Sequence, residues 1–136
     1  MKLNILKKKI PTDLEILELI YEESYERFAS FDKDNPDRSA KIFVPFDLEG
    51  IAEKLNVDGD IIFGRLYYHL NKKYGYRKKN KTTVSVYATV GGDGHSINMP
   101  LTASIIASLR EEKNKFWIAT SIAVVSLIVS IISFFS

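Results

Sequence analysis

The stretch FWIATSIAVVSLIVSIISFF, Phe116 to Phe135, decides how the rest of the chain is read. Its twenty residues contain no charged side chain, no Gly and no Pro. At a rise of ~1.5 Å per residue, a helix of that length reaches about 30 Å, the thickness of the hydrocarbon layer of a bilayer. A core helix of a water-soluble domain keeps a polar stripe and rarely carries more than ~14 apolar residues in succession. Here the polar side chains are only Thr120, Ser121, Ser126, Ser130 and Ser133, all tolerated in lipid. The expectation is a single transmembrane helix over 116–135.

Working outward, every Lys, Arg, Asp and Glu of the chain precedes Phe116, and only Ser136 follows Phe135. Arg110, Lys113 and Lys115 stand in a charged juxtamembrane segment, 110–115, and the positive-inside rule then keeps the N-terminal part in the cytoplasm. Trp117 suits an interfacial anchor, and Lys115 can snorkel toward headgroups. The expected protein is tail-anchored in the cytoplasmic membrane, with membrane lipid as its first partner. The N-terminal segment 1–10 is basic, with Lys7-Lys8-Lys9, and has no apolar run of ~7–15 residues behind its charges, so it does not read as a secretory signal.

Between these ends, residues 11–109 suffice for one small domain. Hydrophobic residues at 46% and charged residues at 26% exclude both a disordered tail and a multi-span protein, and a net charge of +2 names no partner. With no Cys there is neither a disulfide framework nor a thiolate metal site, in keeping with a reducing cytoplasm.

Thr12-Asp13-Leu14-Glu15 is a capping-box pattern after Pro11, and predicts a helix to about Ser30 with Leu14, Leu17, Tyr21, Tyr25 and Phe28 on its apolar face. The polar run Asp32 to Ser39 is a loop; compared with an EF-hand it has Asp37 where Gly is needed and Phe43 where a bidentate carboxylate belongs, so no metal site is expected. A strand Lys41–Val44 follows. Asp47 caps a second helix with Leu48, Ile51, Ala52 and Leu55 inward, and Asp58 caps a third, Asp60 to about Tyr74, with Ile62, Leu66 and Leu70 in one stripe. Tyr76–Lys79, Thr82–Val90 (Val84, Val86, Ala88 and Val90 on one side) and His95–Met99 read as strands, with Gly91-Gly92-Asp93-Gly94 as a hairpin turn. Pro100 opens a last helix that meets no Gly or Pro before Ser136.

The fold class is therefore α+β. Its order of elements resembles a winged helix-turn-helix domain, most closely in Asp47 to Val57 followed by Asp58 to Tyr74, which are similar to that family's second helix, tight turn and recognition helix. The resemblance implies duplex DNA binding with the third helix in the major groove, although many members bind proteins instead. This chain departs from the DNA-reading pattern: Asp58 and Asp60 in the first turn would meet phosphate with like charge, so specific nucleic-acid binding is disfavoured. Ile61, Phe63, Tyr67 and Tyr68 on the outward side offer apolar area to an unidentified cytoplasmic protein, or else pack against the wing and first helix. The basic run Lys72, Lys73, Arg77, Lys78, Lys79 and Lys81 leaves three readings open: DNA phosphate, anionic headgroups, or a solvated face.

Catalysis has few parts available. The two histidines are His69, expected as a partly buried structural residue beside Leu66 and Leu70, and His95; no catalytic, cofactor or metal set is expected, and the protein reads as non-enzymatic. Ala119, Ala123, Ser126, Ser130 and Ser133 line the span at a ~3.5-residue period, the spacing of a self-associating helix pair, and the same steps lead back through Phe116 and Glu112 to Leu109 and Ile105. The leading expectation is a membrane-bound protein-interaction module that pairs with itself through the span. A membrane-tethered transcription regulator and a membrane-perturbing effector of bacterial stress or phage defence are the alternatives.

Overall fold

The computed structural model describes residues 9–136, so of the basic N-terminal segment only Lys9 and Ile10 fall within the described residues. Among the described residues, five α-helical segments and five short strands follow one another: α1 (Asp13–Ala29), β1 (Phe43–Pro45), α2 (Leu48–Lys54), α3 (Gly59–Gly64), a π-helical segment (Arg65–Leu70), α4 (Asn71–Tyr74), β2 (Tyr76–Arg77), β3 (Thr83–Val84), β4 (Tyr87–Val90), β5 (Gly94–Asn98) and α5 (Met99–Phe135). This is the mixed helix and antiparallel-sheet class expected, with a long apolar helix at the C-terminal end.

Helix starts follow local capping chemistry. Thr12 Oγ1 accepts the Glu15 amide at 3.1 Å while the Glu15 carboxylate accepts the Thr12 amide at 3.2 Å. Asp47 and Asp58 cap α2 and α3, and Asn98 caps α5 by accepting the Leu101 amide at 3.1 Å.

One sheet has the order β1-β5-β4 and the other pairs β2 with β3, every pairing being antiparallel. Pro45 is tolerated because β1 is an edge strand. The strand expected over Thr82–Val90 is interrupted at Ser85-Val86, and its alternation fails there, since Val86 and Tyr87 are both buried. The cause is Asn71, whose carbonyl oxygen accepts the Val86 and Tyr87 amides, both at 2.9 Å, while its amide group donates to the Tyr87 carbonyl at 2.8 Å. These are the hydrogen bonds a strand partner would have made.

The core gathers Ile16, Leu17 and Ile20 of α1, Val44, the apolar side of α2, the stripe Ile62, Leu66 and Leu70, then Val86, Tyr87, Ile97 and the first turns of α5, Met99, Ile105 and Ile106. The buried face of α1 differs from the expected one: Ile16, Leu17, Ile20 and Ser24 are inside, Leu14, Tyr21 and Phe28 lie at the margin, and Tyr25 is 48% exposed. Tyr21 and Tyr25 instead pack on each other at the surface, 5.7 Å between centroids. The compact isoleucines take the side against α5, and the tyrosines, with a polar tip, sit where that tip stays wet.

Candidate membrane span and contact surfaces

α5 changes character along its length. Met99, Thr102, Ile105 and Ile106 are buried in the domain and Leu109 packs against its edge, whereas nothing in the most apolar eighteen-residue window is buried. This helix is long and apolar enough to cross a membrane, and the Ile, Val, Leu and Phe side chains from Phe116 onward cover no protein surface. Ala119, Ala123, Ser126, Ser130 and Ser133 are all exposed. Ser130 Oγ donates to the Ser126 carbonyl at 2.9 Å, so its one donor is satisfied within the helix. The small-residue line does not continue into the domain, because Ile105 and Leu109 are taken up by core packing.

The junction between the domain and the candidate span is a helix, not a linker. Arg110 reaches across to Glu18 of α1, its Nε at 3.0 Å and a terminal nitrogen at 2.5 Å from one carboxylate oxygen. Phe116 follows six residues later, or ~9 Å along the axis. Glu111, Glu112, Lys113 and Lys115 project from that short neck into solvent.

The four residues of the expected protein-contact face separate into two groups. Phe63, Tyr67 and Tyr68 form one aromatic cluster: Phe63 and Tyr67 stack at 5.3 Å, and Tyr68 stands edge-on to both. Phe63 is partly buried and also meets Tyr87 edge-on at 5.9 Å, so it supports the patch, while Tyr67 and Tyr68 present it, Tyr68 at 69% exposure. Ile61 belongs elsewhere, lining a recess of 550 Å³ with Lys9, Ile10, Val57, Asp58 and Arg65.

The π-helical segment explains this geometry. The Asn71 amide bonds to the Leu66 carbonyl, five residues back. The wider turn keeps Leu66 and Leu70 both in the core and still swings Asn71 toward β4.

Lys72, Lys73, Arg77, Lys78, Lys79 and Lys81 are all exposed, and none pairs with a carboxylate among the described residues. Lys73 rests over the Tyr74 ring at 5.3 Å. The β2–β3 hairpin lies beside the start of α5: Tyr76, Lys78 and Val84 share a groove with Pro100, Leu101 and Ser104. Gly75 lets the chain turn from α4 into β2, since a Cβ there would stand 2.4 Å from the Asn71 carbonyl oxygen.

Three polar clusters hold the domain. Asp13 receives Arg65 at 2.5 Å and His69 at 3.0 Å; burial pushes its carboxyl up, and the hydrogen bonds and charges of Arg65 and His69 outweigh that and hold it below its ordinary value of 3.8. His69 is thus a partner of Asp13, with its side chain 48% exposed. Arg38, buried in the loop, donates to Asp37 and to the Arg27 and Lys41 carbonyls and lies over the Phe31 ring at 4.7 Å. His95 Nδ1 stands 2.5 Å from the Tyr87 hydroxyl, whose pKa burial raises.

The glycine stretch is a turn joining β4 to β5, with Gly91 at φ +45° and Gly94 at φ +76°, and Asp93 accepts the Ser39 hydroxyl at 2.9 Å. Neither Asn71 nor Arg38 stands out among site residues in the sequence; an Asn within a run of helix formers and an Arg flanked by loop residues are faint signals. Set against known protein families, curated proteins and solved structures, the chain matches none.

Proposed function

We propose that the chain is a non-enzymatic single-pass membrane protein whose cytoplasmic domain is a winged-helix-like protein-interaction module. One observation carries this reading: a single unbroken helix is core in its first turns, and its last twenty residues carry no charge and bury no side chain. The succession α1, β1, α2, α3 and a sheet in the order β1-β5-β4 supports a winged-helix likeness. Asp58 and Asp60 at the start of α3 set it against phosphate, and the exposed rings of Tyr67 and Tyr68 suit a protein surface better than base edges. Self-association through the small residues of the span completes the proposal.

The test is topology. The full chain should stay with membranes through alkaline carbonate extraction, and a reporter fused after Ser136 that works only in the cytoplasm should be silent. An active reporter on an extracted, membrane-retained protein reverses the orientation, and release into the soluble fraction removes the span.

A further inference from the structure

We infer that the soluble domain rests end-on against an anionic lipid headgroup layer, through the end from which α5 departs, with Lys9, Ile10 and Ile61 as contacts. This builds on the reading of 116–135 as a span. Two sets of pins fix how α1 lies against α5. Glu18 holds Arg110 near the exit, while at the other end Lys41 sits over the Phe28 ring at 5.1 Å and the Ile42 carbonyl accepts the Met99 amide at 3.0 Å. The two helices are therefore antiparallel, and the N-terminus of α1 points the way the span goes.

The distances agree. From Arg110 to Phe116 the axis advances ~9 Å, and from Glu18 back to Asp13 α1 advances ~7.5 Å in the same direction, with Thr12, Pro11 and Ile10 still to come. Pro11 is buried and its carbonyl is held by Arg65 at 2.6 Å, which fixes where Ile10 emerges. Ile10 is 71% exposed and Ile61 47%, on the two sides of one recess. Two bare isoleucines level with Lys113, Lys115 and Trp117 fit the layer where apolar tips enter and cations stay among phosphates. Of the carboxylates at this end, Asp13 pairs with Arg65 and His69, Glu15 with Lys9 at 3.2 Å and Glu18 with Arg110, and Asp58 accepts the Asp60 amide, while Asp60, Glu111 and Glu112 are exposed without an ion-pair partner among the described residues. Lys2, Lys7 and Lys8 add charge to the chain just before this point.

The larger basic run is at the wrong end for this contact. Lys78 shares its groove with Pro100 and Ser104, 12 to 16 residues before Phe116, which is ~18–24 Å along the helix. That exceeds two Debye lengths of about 8 Å at physiological salt.

The chain has no Cys, so single cysteines can carry an environment-sensitive fluorophore in the full-length protein. Ile10→Cys, Lys79→Cys and Val125→Cys would be reconstituted in vesicles of phosphatidylcholine with phosphatidylserine. Headgroup spin labels should quench the label at position 10 several-fold more than that at 79, and acyl-chain spin labels should quench that at 125. Omitting phosphatidylserine, or combining Lys7→Glu, Lys8→Glu and Lys9→Glu, should reduce quenching at 10 and leave 125 unchanged. Equal quenching at 10 and 79 overturns the end-on placement while the span stands. Quenching at 10 that ignores both lipid charge and the substitutions overturns the anionic contact. An unquenched label at 125 removes the span and the inference with it.

Discussion

Asn71 makes three hydrogen bonds to one short piece of backbone, Val86-Tyr87, from the end of a π-helical segment. Truncating it strands two amides and a carbonyl in a partly buried place. At ~1–3 kcal/mol for an unsatisfied group, discounted for water that can reach some of them, Asn71→Ala should cost about 2–4 kcal/mol, measured by urea unfolding of a fragment ending at Lys115. A loss below ~1 kcal/mol would mean that water replaces the side chain fully. Asp13 makes a different prediction. Its folded pKa lies below the unfolded one, so its contribution is fully present above about 3.8 and is lost as pH falls through the lower, folded value. Asp13→Asn should therefore lower Tm at neutral pH and flatten the decline of Tm on acidification below pH ~4, because the variant has no carboxyl there to protonate. Neither residue is legible in sequence as a structural clasp, since Asn71 finds its partners 15 and 16 residues away and Asp13 finds Arg65 52 away.

At the scale of elements, starts are legible and faces less so. Thr12, Asp47 and Asp58 cap because the bond each makes is to a residue two or three positions on, a matter of local sequence. The buried face of α1 depends on what lies across from it, and spacing alone cannot choose between Leu14-Tyr21-Tyr25 and Ile16-Ile20-Ser24. The break between β3 and β4 is likewise invisible until Asn71 is placed. The small-residue line in the span gives an element-scale prediction. Joint replacement of Ala123 and Ser126 by Leu should weaken self-association in a membrane two-hybrid assay several-fold, by blocking close approach of backbones, whereas Leu127→Ala should change it little. If the two respond alike, the seam lies on another face. Since Ile105 and Leu109 are occupied by the domain's own core, the contact should be confined to 116–135, and changes at Glu112 should leave it intact.

For the whole molecule, the decisive fact is that one helix is core at one end and exposed and uncharged at the other. Met99, Ile105 and Ile106 are among the buried side chains, and each contributes roughly 1.5–3 kcal/mol by leaving water, a large part of the 5–15 kcal/mol that holds a small domain. A fragment ending at Lys115 should unfold cooperatively, with a Tm within a few degrees of the detergent-solubilised full chain. One ending at Asn98 should show no cooperative transition by circular dichroism. The uncharged C-terminal part of α5 is legible in the sequence because composition changes abruptly at Phe116. That the domain borrows the first turns of the same helix is only hinted at by the lack of Gly or Pro after Pro100.

This sharing has a consequence for biosynthesis. Chains are made from the N-terminus, so Met99 to Leu109 leave the ribosome before the apolar stretch does, and every core residue is available before Phe116 to Phe135 emerges. A chain that has already closed its core cannot be threaded through a narrow conduit without being pulled apart. On the proposed reading of Phe116 to Phe135 as a span, whatever inserts it would accept it with the folded body held back on the side of synthesis, the same side that Arg110, Lys113 and Lys115 favour.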